Sequence, residues 1–320
     1  MKRHWHAAAS AFAALFTVSA TAALFTVSAT AATELDLKRE DGSQITMYLE
    51  RSQKEAKADL LVLIQGSDCN SVAHNTLINQ KFSEVLPGAD VLTIEKYGIT
   101  SHLPWDRSGE REDCPAAYLQ NDSLAQRTSD YLKVLDQLAE RATYENIVLL
   151  GGSEGAVIAN IIAARADYVS ASVALNGGGR FFKDDVLASM KNSGMPEHAY
   201  EQAKQGFNQF AAQVLEGKPF PVSMSLHGYR WWHSVLSADQ LEILGDVGTP
   251  TLIVQGTADK NVDVAATGEM ISELRHKGAT NITYLAYEGM GHHFQRDDNT
   301  SALPNLIADI QSWLNAALSN

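Results

Sequence analysis

The chain has 320 residues, of which 45% are hydrophobic and 20% are charged, as in an ordinary soluble globular protein. It carries 25 Lys and Arg against 38 Asp and Glu, and the resulting net charge of −13 is the opposite of what a nucleic-acid-binding protein needs. We therefore expect no nucleic-acid partner. The length allows one large α/β domain or two small domains.

The N-terminal residues 1–32 have the pattern of a signal peptide. Lys2 and Arg3 provide a basic start, an apolar alanine-rich run follows, and Ala29-Thr30-Ala31 offers the small residues that a signal peptidase requires. The alternative is a membrane anchor, but threonines and serines dilute the run and no charged residue stops it. We expect cleavage after Ala31 or Ala32 and a mature protein that is periplasmic or secreted, without a membrane anchor.

The sequence contains two cysteines, Cys69 and Cys114. Export would place them in an oxidising compartment, where disulfides form and persist. We therefore expect one disulfide between them. The alternative is a pair of free buried thiols.

Strand patterns begin directly after the predicted signal peptide. Residues 34–40 and 44–51 alternate polar and apolar side chains around Asp41-Gly42, a pattern typical of a β-hairpin. Near-continuous apolar runs, typical of parallel strands that are buried on both faces, come next along the chain. These runs occupy residues 60–66, 89–98, 146–152, 169–179, 250–260 and 281–291.

Helical patterns alternate with these runs at Ser123–Arg141, Ala265–Lys277 and Leu303–Leu318. The alternation predicts a doubly wound, mostly parallel sheet of eight strands with an antiparallel N-terminal hairpin. Residues 180–246 contain no convincing strand but have helical stretches and many aromatic side chains, and they are too long for an ordinary crossover. We interpret them as a helical cap inserted into a single domain of residues 33–320.

Chemically active side chains follow several of the predicted strands. Ser67 follows the first apolar run, and Ser153 lies in the Gly-x-Ser-x-Gly sequence of residues 151–155 after the third run. Asp259 lies at the end of the fifth run, and the pair His292-His293 follows the sixth. Because open α/β sheets place their sites beyond the carboxyl ends of the strands, a serine, an acid and a histidine are expected to meet there.

In these motifs the chain resembles the α/β-hydrolase superfamily, in its serine esterase and dienelactone-hydrolase branch or its prolyl-oligopeptidase-like branch. The resemblance covers residues 34–320 apart from the cap. It implies the chain order of a Ser-Asp-His triad, with Ser153 as nucleophile, Asp259 as acid and His292 as base. It also implies an oxyanion hole made by the backbone N–H groups of Glu154 and, less firmly, Ser67.

Other residues compete for these roles. His293 is the alternative base, and Asp263 is the alternative acid, although Asp263 has the position of a helix start. His74 lies near the oxyanion loop, where a surface position is the simpler interpretation. No cluster of His, Cys, Asp and Glu has the spacing of a metal site, so we expect no metal.

The cap contains the aromatic residues Tyr229, Trp231 and Trp232 in the segment 227–236. They are candidates for a substrate pocket over Ser153. The alternative, favoured for at least two of the three, is that they pack the cap onto the sheet domain.

Together with the predicted signal peptide, the resemblance implies an exported serine hydrolase that cleaves a small-molecule carboxylic ester or thioester through an acyl-enzyme, a reaction that needs no cofactor. The alternative is a serine peptidase of the prolyl-oligopeptidase-like branch, whose members usually carry a propeller domain that does not fit ahead of residue 34. A non-catalytic binding protein on the same fold is a third interpretation. It is disfavoured because Ser153 and His292 are both present.

Overall fold

The computed structural model describes residues 32–52, 58–107, 111–141 and 144–319 of the chain. The predicted signal peptide lies outside the described residues apart from its last position, and it stays a prediction. Among the described residues, no helix is both long and apolar enough to cross a membrane.

The described residues contain a sheet of eight strands in the order β1-β2-β4-β3-β5-β6-β7-β8. Strand β2 is antiparallel to β1 and to β4, and all the other neighbours are parallel. The predicted mostly parallel sheet with an antiparallel N-terminal hairpin is therefore confirmed. The strands are β1 (Thr33–Lys38), β2 (Gln44–Glu50), β3 (Leu60–Ile64), β4 (Asp90–Ile94), β5 (Ile147–Gly152), β6 (Ala171–Leu175), β7 (Thr251–Gly256) and β8 (Ile282–Tyr287).

Helices flank the sheet and form the segment between β6 and β7. Four of them, α4 to α7, occupy that segment, and we call them the cap. The α-helices of the described chain are α1 (Ala116–Asn121), α2 (Leu124–Arg141), α3 (Glu154–Ala163), α4 (Phe182–Asn192), α5 (Glu197–Leu215), α6 (Tyr229–Ser237), α7 (Gln240–Gly245), α8 (Val264–His276) and α9 (Leu303–Ala317).

The core lies on both faces of the sheet, as near-continuous apolar strands require. Successive side chains of β3 point to opposite faces, so Leu60, Val62 and Ile64 join one apolar cluster and Leu61 and Leu63 join another. Helices α2, α3 and α8 pack with the first cluster, while α9 packs with the second. The helical layers fix the sheet rigidly and leave its carboxyl edge to carry loops.

The loops after β3 and β4 are joined covalently. A disulfide links Cys69 to Cys114 and confirms the predicted pairing. Cys69 is 1% exposed and lies two residues after Ser67, at the carboxyl edge of the sheet. The bond therefore restrains the loop that carries Ser67.

Candidate active site

Ser153 occupies the sharp turn between β5 and α3. Its backbone has φ 55° and ψ −125°, a conformation that non-glycine residues rarely adopt and that costs on the order of 1–3 kcal/mol. The turn is possible because α3 packs closely on the sheet: a Cβ at Gly155 would collide with the Ile64 carbonyl oxygen, and one at Gly151 with that of Gly155. These contacts explain both glycines of the motif and hold the hydroxyl of Ser153 at the edge of the sheet.

Asp259 and His292 come together from the loops that follow β7 and β8. The Nδ1 atom of His292 lies 2.7 Å from Oδ2 of Asp259, and the Asp259 side chain is fully buried. Because a carboxylate only accepts hydrogen bonds, Nδ1 carries the proton and Nε2 is the basic nitrogen. The Asn261 N–H donates to Oδ1 of Asp259 at 2.8 Å, and Gln255 Nε2 donates to Oδ2 at 3.2 Å.

Asn176 is a site residue that the sequence analysis missed. It follows β6 with φ 49°, and its side chain donates from Nδ2 to the His292 carbonyl oxygen at 2.8 Å. Its Oδ1 accepts the Gly256 N–H at 2.8 Å. Asn176 thus joins the histidine loop to the end of β7. The only signal in the sequence was its place directly after a predicted strand, in the segment 175–179.

Two cavities border Ser153. The cavity that we call the loop cavity has a volume of about 310 Å³ and is lined by Ser67, Ser153, His292 and His293 among others. The cavity that we call the cap cavity has a volume of about 60 Å³ and is lined by Ser153 together with Phe182 and Trp231 of the cap. In the described part of the chain, no hydrogen bond joins the Ser153 hydroxyl to His292, although both line the loop cavity.

The two predicted oxyanion residues lie next to Ser153. Glu154 begins α3, so its backbone N–H has no acceptor within the helix. Ser67 lines both cavities, and its carbonyl oxygen accepts a hydrogen bond from the Tyr118 hydroxyl at 3.1 Å. Both residues therefore border Ser153, and the oxyanion role of their N–H groups stays a prediction.

The side chain of Glu154 belongs to a buried ion pair with Arg127 of α2. Arg127 donates to Glu154 Oε1 at 2.6 Å and to the Gln65 carbonyl oxygen at 2.6 Å. Trp231 Nε1 donates to the other carboxylate oxygen. The two charged side chains are only 2% and 6% exposed. One guanidinium thus connects the start of α3 with the end of β3, which are the two segments that carry the predicted oxyanion N–H groups.

Two further ionisable groups lie beside this ion pair. Burial, with the nearby charge of Glu154 adding to it, raises the pKa of Asp122 to about 7. Burial lowers the pKa of His227 to about 3, so His227 is neutral and its 4.0 Å approach to Asp122 is not an ion pair. His227 stacks on the Trp231 ring at 3.6 Å between centroids, and its Nδ1 lies 3.2 Å from the Tyr118 hydroxyl.

Of the three aromatic residues proposed for a substrate pocket, only Trp231 lines the cap cavity. Tyr229 and Trp232 are not part of its lining, in line with the packing role that the sequence favoured for at least two of the three. Trp232 packs edge-on against Phe210 at 5.2 Å, and Tyr229 packs against Phe220 at 5.5 Å. Successive helix positions point in different directions, so one face of α6 meets the sheet domain while another holds the cap helices together.

The residues that competed for site roles lie elsewhere. Asp263 caps α8, where its side chain accepts the Ala266 N–H at 2.9 Å. His293 is exposed at the rim of the loop cavity, and burial lowers its pKa, with the neighbouring His292 adding to the effect. His74 is exposed and contacts the Ser101 carbonyl oxygen through Nε2 at 2.7 Å. Among the described residues, none of the three forms a hydrogen bond with the side chain of Asp259 or His292. His293 only makes a ring contact with His292.

The sequence matches the model of a known protein family. The model of the prolyl oligopeptidase family matches residues 119–320, more than half of the sequence. The chain belongs to the prolyl oligopeptidase family. The matched region contains β5 to β8, the cap and all three predicted triad residues. No curated protein sequence matches this family member significantly.

Solved structures share the fold of this prolyl oligopeptidase family member. Est1E from Butyrivibrio proteoclasticus is 15% identical, with a TM-score of 0.59 over 91% of this chain and 100% of that chain. A highly thermostable carboxyl esterase from Bacillus coagulans is 15% identical, with a TM-score of 0.60 over 90% and 99%. The Pyrococcus furiosus esterase Pf2001 is 13% identical, with a TM-score of 0.57 over 90% and 89%. At these identities the likeness establishes the α/β-hydrolase fold.

Proposed function

We propose that this family member is a serine hydrolase that cleaves a carboxylic ester or thioester through an acyl-enzyme on Ser153. The observation that carries the proposal is the 2.7 Å hydrogen bond between His292 and Asp259, on the same cavity as the strained Ser153. A serine hydroxyl is a weak nucleophile at its own pKa and needs an adjacent base. His292 is that base, and Asp259 orients it and stabilises the imidazolium.

The reaction proceeds in two halves. The Ser153 oxygen attacks the ester carbonyl while His292 Nε2 takes the hydroxyl proton, and the N–H groups of Glu154 and Ser67 stabilise the oxyanion. His292 then returns the proton to the departing alcohol or thiol. Water attacks the acyl-enzyme by the same route, with His292 again as base, and releases the acid and the Ser153 hydroxyl.

The two cavities receive different parts of the substrate. The leaving group must reach His292 to be protonated, and His292 lines the loop cavity but is not part of the lining of the cap cavity. Ser153 borders both. The alcohol or thiol therefore occupies the loop cavity, and the acyl group occupies the cap cavity beneath Phe182 and Trp231.

The structural neighbours support an ester as the substrate, because two of them are named as esterases: the carboxyl esterase from Bacillus coagulans and the Pyrococcus furiosus esterase Pf2001. The second candidate is a serine peptidase, which the family match favours by its name. Both activities use the same catalytic groups, so the difference lies in the leaving group.

A substrate panel separates the two candidates. We expect purified protein to hydrolyse short-chain carboxylic esters and thioesters and to leave aminoacyl and prolyl amides with the same acyl groups intact. The measurement is kcat/KM for each matched ester and amide pair, with Ser153→Ala as the blank. Amide cleavage at a rate comparable with ester cleavage would replace the esterase proposal with the peptidase.

We also propose that the protein is exported. The disulfide between Cys69 and Cys114 supports this, since such bonds persist outside the cytoplasm. The basic start and the small residues at Ala29–Ala31 support it from the sequence. N-terminal sequencing of protein from the periplasm or medium is expected to begin at Ala32 or Thr33. Retention of Met1 on membrane-bound protein would contradict the proposal.

A further inference from the structure

The cap cavity combines apolar walls with two buried polar side chains that the mechanism does not use. Much of its lining is apolar, as in the side chains of Val157, Phe182 and Val262. Asp185 of α4 and Gln240 of α7 line the same cavity and are only 3% and 5% exposed. Buried polar groups normally have hydrogen-bond partners, so their bonding shows what each can offer a ligand.

Asp185 uses one of its two carboxylate oxygens within the protein. Its Oδ1 accepts the Gly179 N–H at 3.1 Å and the Asp263 N–H at 2.8 Å. Within the described residues, Oδ2 accepts no hydrogen bond and is not among the polar atoms sealed off by protein. Oδ2 is therefore an acceptor that a ligand in the cap cavity can use.

The side-chain oxygen of Gln240 is likewise not used in the hydrogen bonds of the described residues. Its Nε2 donates to the carbonyl oxygens of Gly177 at 3.0 Å and Gly179 at 2.6 Å, which fixes the orientation of the amide. In the described part of the protein, its Oε1 has no hydrogen-bond donor and is not sealed off either. Both buried side chains thus leave a free acceptor beside the same apolar space.

We infer that the cap cavity recognises an acyl group bearing a hydroxyl, which donates a hydrogen bond to Asp185 Oδ2, with Gln240 Oε1 as a second acceptor in the same cavity. The inference rests on the proposed function, because it assigns the acyl group to this cavity. A hydrocarbon acyl group would displace water from both oxygens without replacing its hydrogen bonds, and such unpaired groups discriminate against the wrong substrate.

The surroundings of Asp185 favour a hydroxyl over an ammonium group. Burial raises the pKa of Asp185 to about 7, against the lowering effect of the Asp263 and Gly179 N–H groups. The nearby carboxylates of Asp263 and Asp184 add to the rise. An ammonium group requires the ionised carboxylate. A hydroxyl can donate to the carboxylate or accept from the neutral carboxyl group, so it pairs with either form.

The first test compares substrates of equal chain length. Methyl esters of short straight-chain acids are compared with methyl esters of the same acids that carry a hydroxyl, a methoxy or an ammonium group on the last carbon of the acyl chain. Acid release is followed by pH-stat. At the best chain length, we expect kcat/KM for the hydroxyl ester to exceed that of the hydrocarbon ester by about tenfold or more. The Ser153→Ala variant is expected to cleave none of them.

The variant Asp185→Asn exchanges one atom at the site. Its amide oxygen can keep the two backbone N–H bonds of Asp185 Oδ1, while its NH₂ replaces the acceptor Oδ2 with a donor. We expect the advantage of the hydroxyl ester over the methoxy ester to be lost, because the oxygens of both substrates can accept a hydrogen bond from that NH₂. Asp184→Asn is the matched control, because Asp184 is the exposed neighbour on α4 and is expected to keep the wild-type preference. Circular dichroism and Tm verify that both variants are folded.

Two results would overturn the inference. One is a wild-type enzyme that cleaves hydrocarbon or ammonium esters as well as the hydroxyl esters at every chain length. The other is a preference for the hydroxyl ester over the methoxy ester that is the same in folded Asp185→Asn as in wild type. In either case, esterase activity that disappears in Ser153→Ala would leave the proposed function standing. If Asp185→Asn does not fold, the wild-type comparison alone decides.

Discussion

Ser153→Ala and His292→Ala are each expected to lower kcat on the best ester by about 10⁴-fold or more, because nucleophile and base act in one proton transfer. For the same reason, the double variant is expected to be scarcely slower than either single variant. Steady-state kinetics on all three proteins, with Tm as a check on folding, measures this. Multiplicative losses in the double variant would contradict a single catalytic unit.

Matched controls separate the triad from its neighbours. Asp259→Asn and Asp263→Asn make the same chemical change in the same loop, but only Asp259 contacts His292. We expect Asp259→Asn to lose much of its kcat and Asp263→Asn to stay within about tenfold of wild-type activity. A tenfold change is smaller than the 10²–10⁴-fold contribution of a general base. His293→Ala is the corresponding control for His292→Ala. If His293→Ala were the inactive variant, the base would be misassigned by one residue.

Arg127→Met is expected to lower the free energy of unfolding by about 3–5 kcal/mol, because it leaves the carboxylate of Glu154 buried without its cationic partner. The Glu154 side chain is 6% exposed and, among the described residues, retains the Trp231 indole as its side-chain donor. Arg127→Met combined with Glu154→Gln is expected to recover much of the loss, since the double variant buries no unpaired charge. Urea unfolding of the singles and the double gives the coupling energy.

The control for this prediction is an exposed ion pair. Lys81 and Glu84 lie 3.3 Å apart with side chains that are 56% and 51% exposed. Lys81→Met is expected to change the free energy of unfolding by less than about 1 kcal/mol, the upper end for surface pairs. If Arg127→Met lowered the free energy of unfolding by as little as this, the buried ion pair would contribute no more to stability than an exposed one.

The strand positions were predictable because a strand buried on both faces leaves a continuous apolar run, as at β3 and β5. Ser153, Asp259 and His292 were predictable as candidates because each follows such a run, and parallel strands end at one edge of the sheet. The disulfide between Cys69 and Cys114 was predictable because the chain has no other cysteine. The signals for the strands and the triad candidates lie in short stretches of sequence, and the signal for the disulfide is the number of cysteines.

The remaining site residues depend on contacts between distant segments. Arg127 meets Glu154 only after α2 and α3 have packed on the same face of the sheet, and Asn176 meets His292 across 116 positions of the chain. Nothing near either residue in the sequence indicates its partner. For the same reason, the sequence did not indicate which of Tyr229, Trp231 and Trp232 reaches the cavity. Composition marks an aromatic helix, but only its packing decides which face reaches the cavity.

The central claim is that Ser153 is the nucleophile, and labelling with a fluorophosphonate probe tests it most directly. We expect stoichiometric labelling of the wild-type protein, with the added mass confined by peptide mapping to Ser153, and loss of the label in Ser153→Ala. Labelling of another residue, or none at all in protein that hydrolyses esters, would contradict the account.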